Sequence, residues 1–309
     1  MIILGAGQAG LLAARRIWEH DPVIVEKQKS LPNNHSALLR FRTDKIGKVI
    51  GVPFKKVNVY KGILSEDGKS ITNIPNIRDI NAYSLKSTGY SIERSIINTK
   101  HAMRFIAPAN FIEKLAYNAN IQYNCDAKDY IIEKNINPII STIPMPELMR
   151  LLDYRLAPIF KMKPIWTINC ELLNVDIYQT LYVPYDENTP YRISITGNKM
   201  TIEFAYPPIK NHNYIEQYCE TLFGGFVPYT ETTIKKQEYG KIVPIDDFAR
   251  KRFILWATDN FNIYSLGRYA TWKQILLDDV LKDIDIISNF IKQRADVYQR
   301  TMHWQGDQQ

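Results

Sequence analysis

Three glycines spaced as Gly5-x-Gly7-x-x-Gly10 follow directly on the apolar run Met1-Ile2-Ile3-Leu4. They open a stretch of good helix formers, Leu11-Leu12-Ala13-Ala14-Arg15-Arg16-Ile17. At this spacing the first glycine allows a tight turn and the second lets the backbone approach a pyrophosphate. The third lets the helix pack close on the strand, with the helix amino end facing the anion. Asp21 and Pro22 end the helix, and Val23-Ile24-Val25-Glu26 reads as a second strand closing on a carboxylate. That acid lies about 20 residues past the first glycine, where it accepts hydrogen bonds from ribose hydroxyls. The segment therefore predicts a βαβ dinucleotide unit carried by Gly5, Gly7, Gly10 and Glu26.

Beyond it, Ser30 to Ser36 is polar and reads as a loop, and its His35 reads as solvated, since no carboxylate or metal spacing accompanies it. From Val49 to about Thr88, short apolar runs alternate with turn signals such as Asp67-Gly68, which predicts hairpins. A helix is expected over 109–118, a strand over 121–125, and a buried strand from Pro138 to Pro144, followed by a helix entered at Pro146. Residues 161–206 hold strand-like segments around Trp166, Ile193 and Ile202; a helix over 214–222 and a loop at Gly224-Gly225 come next. A strand at Asn262 to Ser265 meets the turn Gly267-Arg268, and 275–291 reads as a long amphipathic helix. No repeat or low-complexity tract interrupts the pattern.

The glycine unit serves NAD or FAD. Short nicotinamide enzymes run βαβ units in succession, whereas here the second strand leads into a loop and hairpins, which favours FAD. The strand Ile139-Ile140-Ser141-Thr142-Ile143-Pro144 and the Gly267-Arg268 turn add a family signal. With them, the sequence resembles the flavoprotein superfamily of UDP-galactopyranose mutases, protoporphyrinogen oxidases and amine oxidases. Gly267-Arg268-Tyr269-Ala270-Thr271-Trp272-Lys273, followed by Asp278, is similar to a mutase segment, and so is Phe41-Arg42-Thr43-Asp44. The resemblance implies an α/β fold: a Rossmann-like FAD-binding domain with an inserted, smaller α+β substrate domain built on an antiparallel sheet. The expected boundaries are 1–48, 95–150 and 240–309 for the first, and 49–94 and 151–239 for the second. It also implies FAD contacts by Gly267, Arg268 and Thr271, with a helix opening beside the flavin at this turn. Arg42 stands where the mutases carry histidine, and Gln274 and Leu276 replace their tyrosine and aspartate.

Three residues are candidates for the chemistry: Lys241, as a lysine opposite the flavin as in amine oxidases; Arg42, by its place in the mutase-like segment; and Trp272, as a ring stacked near the flavin. Tyr191 and Arg192 are candidates for holding an anionic substrate. The reaction class the resemblance implies is an FAD-dependent oxidoreductase of the amine-oxidase kind, acting on an amine or a nucleotide-linked small molecule. A mutase-like enzyme acting on a sugar nucleotide is the second reading, and a non-catalytic flavin-binding partner protein the third.

Charge and composition bound these readings without choosing among them. Thirty-nine Lys plus Arg against thirty-two Asp plus Glu give a net +7, spread along the chain. That steers an anionic or amine-bearing small molecule's phosphates and permits a nucleic acid without demanding one. Cys125, Cys170 and Cys219 are far apart and odd in number, which supports neither a disulfide framework nor a metal site. No run reaches the roughly 18 apolar residues that a membrane helix needs. The expectation is a cytoplasmic protein without a membrane partner.

Overall fold

The computed structural model describes residues 1–31, 39–91, 95–97, 99–131 and 137–306; His35 and most of its loop lie outside these. The amino-terminal unit forms as its sequence predicts, as β1 (Ile2–Leu4), α1 (Gln8–Arg16) and β2 (Val23–Val25). Then come β3 (Arg40–Phe41), α2 (Lys45–Ile50), β4 (Lys55–Leu64), β5 (Ile71–Thr72) and α3 (Ile77–Thr88). β4 and β5 make the hairpin announced by Asp67-Gly68. The expectation of hairpins as far as Thr88 is corrected, because 77–88 is helical. The Asn76 side chain accepts the Asp79 N–H at 2.8 Å and the Asp79 carboxylate accepts the Asn76 N–H at 3.1 Å, a capping box that starts α3.

Next is β6 (Ala102–Ile106), which the sequence reading did not expect, and then α4 (Phe111–Ala116), β7 (Asn120–Gln122), β8 (Ile139–Ser141) and α5 (Met145–Leu151), close to the expected places. β9 (Met162–Glu171), β10 (Ile177–Tyr182), β11 (Arg192–Gly197) and β12 (Lys199–Phe204) follow. The chain ends with α6 (Tyr214–Phe223), β13 (Thr233–Ile242), α7 (Asp247–Phe261), β14 (Ile263–Ser265) and α8 (Leu277–Gly306). None of the described helices is long and apolar enough to cross a membrane.

The fold is α/β, with a Rossmann-like parallel sheet and a second, mixed sheet. The first sheet has five strands in the order β14-β8-β1-β2-β7, all parallel, so that Leu4, Val25, Gln122, Ser141 and Ser265 end together at its carboxyl edge. Alternation along β1 sends Ile3 into a core shared with α1 and α8 and Leu4 into a core shared with α5 and α7. Both faces of the sheet are thus covered, as an all-parallel sheet requires.

The second sheet has nine strands, with the path β13-β9-β12-β11-β10-β4-β6-β3 and β5 at the side of β4. Its pairings are antiparallel except for β4 on β10. β3 and β6, which come from within 1–48 and 95–150, belong to it by their ladder from Arg40 opposite Ile106. One face carries Ile168, Leu181, Ile193, Ile195 and Ile202, packed under Tyr214, Ile215 and Tyr218 of α6. The sheet also curls. In a flat sheet three strand spacings would set β3 about 14 Å from β10, yet Arg40 of β3 donates from Nη1 to Thr180 Oγ1 on β10 at 2.6 Å.

Replacing Asn76 by Ala removes the capping box and is expected to lower stability by about 1 kcal/mol. Urea unfolding measures this; an unchanged midpoint would show that α3 is held by packing alone.

Candidate functional site

The glycine turn is shaped by contacts that only a hydrogen side chain permits. Gly5 has φ +99°, and a Cβ there would lie 2.5 Å from Thr142 Oγ1; a Cβ on Gly10 would lie 2.0 Å from the Gly5 carbonyl oxygen. Gly7 is different, because a Cβ at that position meets nothing within 4 Å. It is the N-cap of α1, and its side-chain position faces open space at the helix amino end. There the first N–H groups of a helix lack intrahelical partners and favour an anion. Beside it, Gln8 Nε2 is buried with no hydrogen-bond partner among the described residues. Glu26 is buried; its two carboxylate oxygens accept Ala6 N–H at 2.7 Å and Gln28 N–H at 2.9 Å, fixing the acid beside the turn with lone pairs still available.

The carboxy-terminal turn closes on the same place. Gly267 has φ +91°, and a Cβ there would lie 2.9 Å from Ala9 Cβ in the first turn of α1. Thr271 folds back on this turn, donating from its N–H and Oγ1 to the Gly267 carbonyl at 2.9 and 2.8 Å. The expected helix at this point is corrected: 267–273 is a run of turns, and α8 begins only at Leu277. The two mutase-like segments meet as well. The buried Asp278 carboxylate accepts Arg42 N–H at 3.0 Å, Thr43 N–H at 3.1 Å and Thr43 Oγ1–H at 3.0 Å. The Gly5–Gly10 and Gly267 turns thus meet at the carboxyl edge of the parallel sheet.

The fold recurs among solved structures. The chain is similar to a CLA-producing fatty acid isomerase from P. acnes at 14% identity and TM-score 0.56, covering 94% of this chain and 98% of that one. A protoporphyrinogen oxidase-like protein from Exiguobacterium sp. 255-15 is similar at 10% identity and TM-score 0.58, with 94% and 98% covered. An oxidoreductase from Methanosarcina mazei is similar at 10% identity and TM-score 0.59, with 93% and 99% covered. At these identities the likeness shows the fold. No protein-family model and no curated protein matches the chain.

From the carboxy-terminal turn a connected set of contacts leads to the second sheet. Arg268 Nη2 donates to the Gly240 carbonyl at 3.3 Å. A Cβ on Gly240 would lie 2.8 Å from the Ile165 backbone nitrogen, so this glycine lets β13 press on β9. The ladder slips between Gln237 and Lys241, a bulge that re-aims the next side chain. Lys241 is buried, with Nζ 4.8 Å from the centre of the Tyr191 ring. Tyr191 donates from its hydroxyl to Glu203 Oε1 at 2.9 Å, and Arg192 donates to both oxygens of the same carboxylate. Burial pushes the Glu203 carboxyl up, but the Arg192 guanidinium outweighs it and holds the acid below the usual carboxylate range. Burial, then the Glu203 charge, drives the Tyr191 phenol well up.

Several candidates change role in this geometry. Trp272 is 2% exposed and donates from Nε1 to the Val243 carbonyl at 2.8 Å while packing on Phe160, so the stacking role expected for it is corrected: no ring face is left for a ligand. Its left-handed backbone, φ 45°, costs on the order of 1 kcal/mol and is carried by those contacts. Tyr191 is fully buried, so it positions Glu203 and does not touch a substrate. Arg42 is half-exposed, its guanidinium paired with Asp279 in the first turn of α8, which makes it an anchor of that helix. Arg192 remains partly open on the polar face, and Lys241 shares the Tyr191 ring with it. Sequence reading missed Gln8, Gly240, Glu203 and Arg40. Glu203 had a signal, since Gly197-Asn198 is a two-residue hairpin turn that sets Arg192 opposite it.

Two alanine substitutions separate the roles of the glycines. Gly10→Ala is expected to cost about 3 kcal/mol or more, because a Cβ collides with backbone. Gly7→Ala is expected to cost less than about 1 kcal/mol. Denaturant titration of the pair checks both; equal losses would contradict the open space at Gly7.

Proposed function

We propose that the chain is an FAD-dependent oxidoreductase, with its cofactor in the cleft where the amino-terminal unit and the Gly267 turn meet. The observation that carries this reading is that Gly267 sits against Ala9 beside the open position at Gly7 and the unpartnered Gln8 amide. The amino end of α1 would take the pyrophosphate, Glu26 the ribose hydroxyls, and Arg268 would offset phosphate charge, with Gly5, Gly10 and Thr271 holding the turns that present them. FAD, when bound, supplies hydride and electron chemistry.

The protein's own part is to hold a substrate, an amine or a nucleotide-linked small molecule, over the polar face of the second sheet. Lys241 lies at the border of cleft and face, where it holds a water or a proton beside the substrate. Tyr191 and Arg192 fix Glu203, and through it the charge balance around Lys241. Packing of the Arg42-Thr43 segment on Asp278 fixes the floor of the cleft.

A redox-neutral, mutase-like reaction is the second reading, favoured by one observation: Asp278 ties together the two segments that resemble the mutases. Against it, Arg42 is engaged with Asp279, and Gln274 donates to the Ile242 carbonyl at 3.0 Å. Both an isomerase and an oxidoreductase stand among the similar structures, so the fold leaves the reaction class to the site. A requirement for reductant without net consumption of electrons would select the second reading.

The purified protein is expected to show flavin absorption bands. Gly7→Asp should fold normally, because its Cβ has room, and should weaken FAD at least about a hundredfold by setting a carboxylate against the pyrophosphate. Visible spectroscopy and equilibrium dialysis measure this; a colourless wild type that refuses FAD ends both readings. Lys241→Met should keep the bands but slow flavin reduction by about a hundredfold with any amine or nucleotide-linked substrate that reduces the wild type. An unchanged rate would remove the lysine from the chemistry.

A further inference from the structure

Near the end of α3 the usual order of inside and outside is reversed: Leu85 is half-exposed, while the next residue, Lys86, is buried. The lysine reaches from the last turn of α3 into the loop that joins β10 to β11. There its Nζ donates to the Val183 carbonyl at 2.9 Å, the Tyr185 carbonyl at 2.6 Å, the Pro190 carbonyl at 2.9 Å and Thr189 Oγ1 at 2.8 Å. None of these partners is a carboxylate. Burial pushes the ammonium down to about 7, and Asp186 and Glu187 of the same loop pull the other way.

An ammonium carries three hydrogens, so the oxygens here outnumber the donors and close on the centre of charge itself. Carbonyl and hydroxyl oxygens gathered on one centre are also how a protein replaces the hydration shell of a potassium ion. The loop holds these oxygens by its own bonds. Val183 N–H donates to the Tyr191 carbonyl at 3.0 Å, and Thr189 Oγ1–H to the Asp186 carbonyl at 2.8 Å. The loop is tied to α3 at a second point, where Tyr185 donates from its hydroxyl to Asp79 Oδ1 at 2.5 Å. Between the two ties, Tyr83 packs on Tyr182 and Tyr191, the residues that flank the loop.

We propose that residues 183–190 form a cage for a monovalent cation of potassium or ammonium size, and that Lys86 is the tethered ammonium that fills it. A cation fixed there draws the Val183 and Pro190 carbonyls together from the two ends of the loop, and so holds Tyr182 and Tyr191 at the spacing at which Tyr83 packs on both. The cage does not depend on the flavoenzyme reading.

The test is thermal unfolding of the full chain at about pH 6, below the value to which burial pushes Lys86, so that the wild type keeps its charge. Wild type, Lys86→Ala and Lys56→Ala are compared in choline, lithium, potassium and methylammonium chlorides at equal ionic strength, each variant read against the wild type in the same salt. Lys56 is exposed on β4. In choline chloride Lys86→Ala is expected to melt about 5 °C or more below the wild type, and Lys56→Ala within about 1 °C of it. Potassium or methylammonium at about 0.2 M should recover about half or more of that loss, because either ion fits the emptied cage, whereas the smaller lithium should recover none. The cage is overturned if Lys86→Ala is as stable as the wild type, if neither ion recovers the loss, or if lithium recovers it equally. Should Lys86→Ala fold only with potassium or methylammonium present, the cage is supported. Should it fold in none of the salts, Thr189→Val decides, since it removes one of the four oxygens and leaves the lysine in place. Acetic anhydride is then expected to acetylate Lys86, read by mass spectrometry, about threefold or more faster in Thr189→Val than in the wild type. An unchanged rate overturns the cage.

Discussion

A side chain on residue 267 would collide with Ala9, and that close approach is what makes one site from two ends of the chain. The glycine lets the turn after β14 drop onto the first turn of α1, and the turn is then locked by Thr271 folding back on Gly267. Because β14, β8 and β1 are neighbouring parallel strands ending in register on Ser265, Ser141 and Leu4, the loops that leave them are obliged to share one edge. Backbone proximity, enforced by the absence of Cβ atoms at Gly5, Gly10 and Gly267, therefore sets the cleft before any functional side chain is placed.

Electrostatics extend the site beyond that cleft. Arg268 reaches the backbone of Gly240, and the bulge that follows sends Lys241 toward Tyr191 and the Arg192–Glu203 pair. A buried ion pair adds little net stability, because desolvating both partners costs about as much as their attraction returns. Its effect here is on position and charge: it fixes the carboxylate of β12, so that the charge remaining on that face is positive. The polar face and the apolar face of one sheet thus differ in kind: the apolar one is packed beneath α6, and the polar one carries the Arg192–Glu203 pair.

How far the sequence discloses this depends on whether the cause is local. The βαβ unit is legible because its reasons lie within 26 residues of one another: an apolar strand, glycines at a turn, a helix, and an acid closing the next strand. The Arg192–Glu203 pairing is nearly as local, since Gly197-Asn198 fixes the register of β11 and β12. Residues 77–88 misled because their apolar residues are short runs with Ile77 and Leu85 exposed, and the capping box outside those runs decides the structure. α7 carries its own disguise, with Phe248 and Leu255 exposed, so no single apolar stripe marks it as a helix. Trp272 is legible as aromatic and near the motif, but whether its ring faces a cavity or Val243 is settled by residues far along the chain.

Arg40 is the extreme of that non-local dependence, and its chemistry explains why an arginine stands there. The curl of the second sheet brings β3 over β10 and β11, where a hydrogen-bonding group must satisfy two threonine hydroxyls and two carbonyls lying in different directions. A lysine has three donors on one atom and cannot span them, whereas a guanidinium has five in a rigid plane. Four contacts to neutral oxygens hold that plane in place without cancelling its charge. The closure of the sheet and the fixing of a positive charge on that face are consequently the same set of bonds.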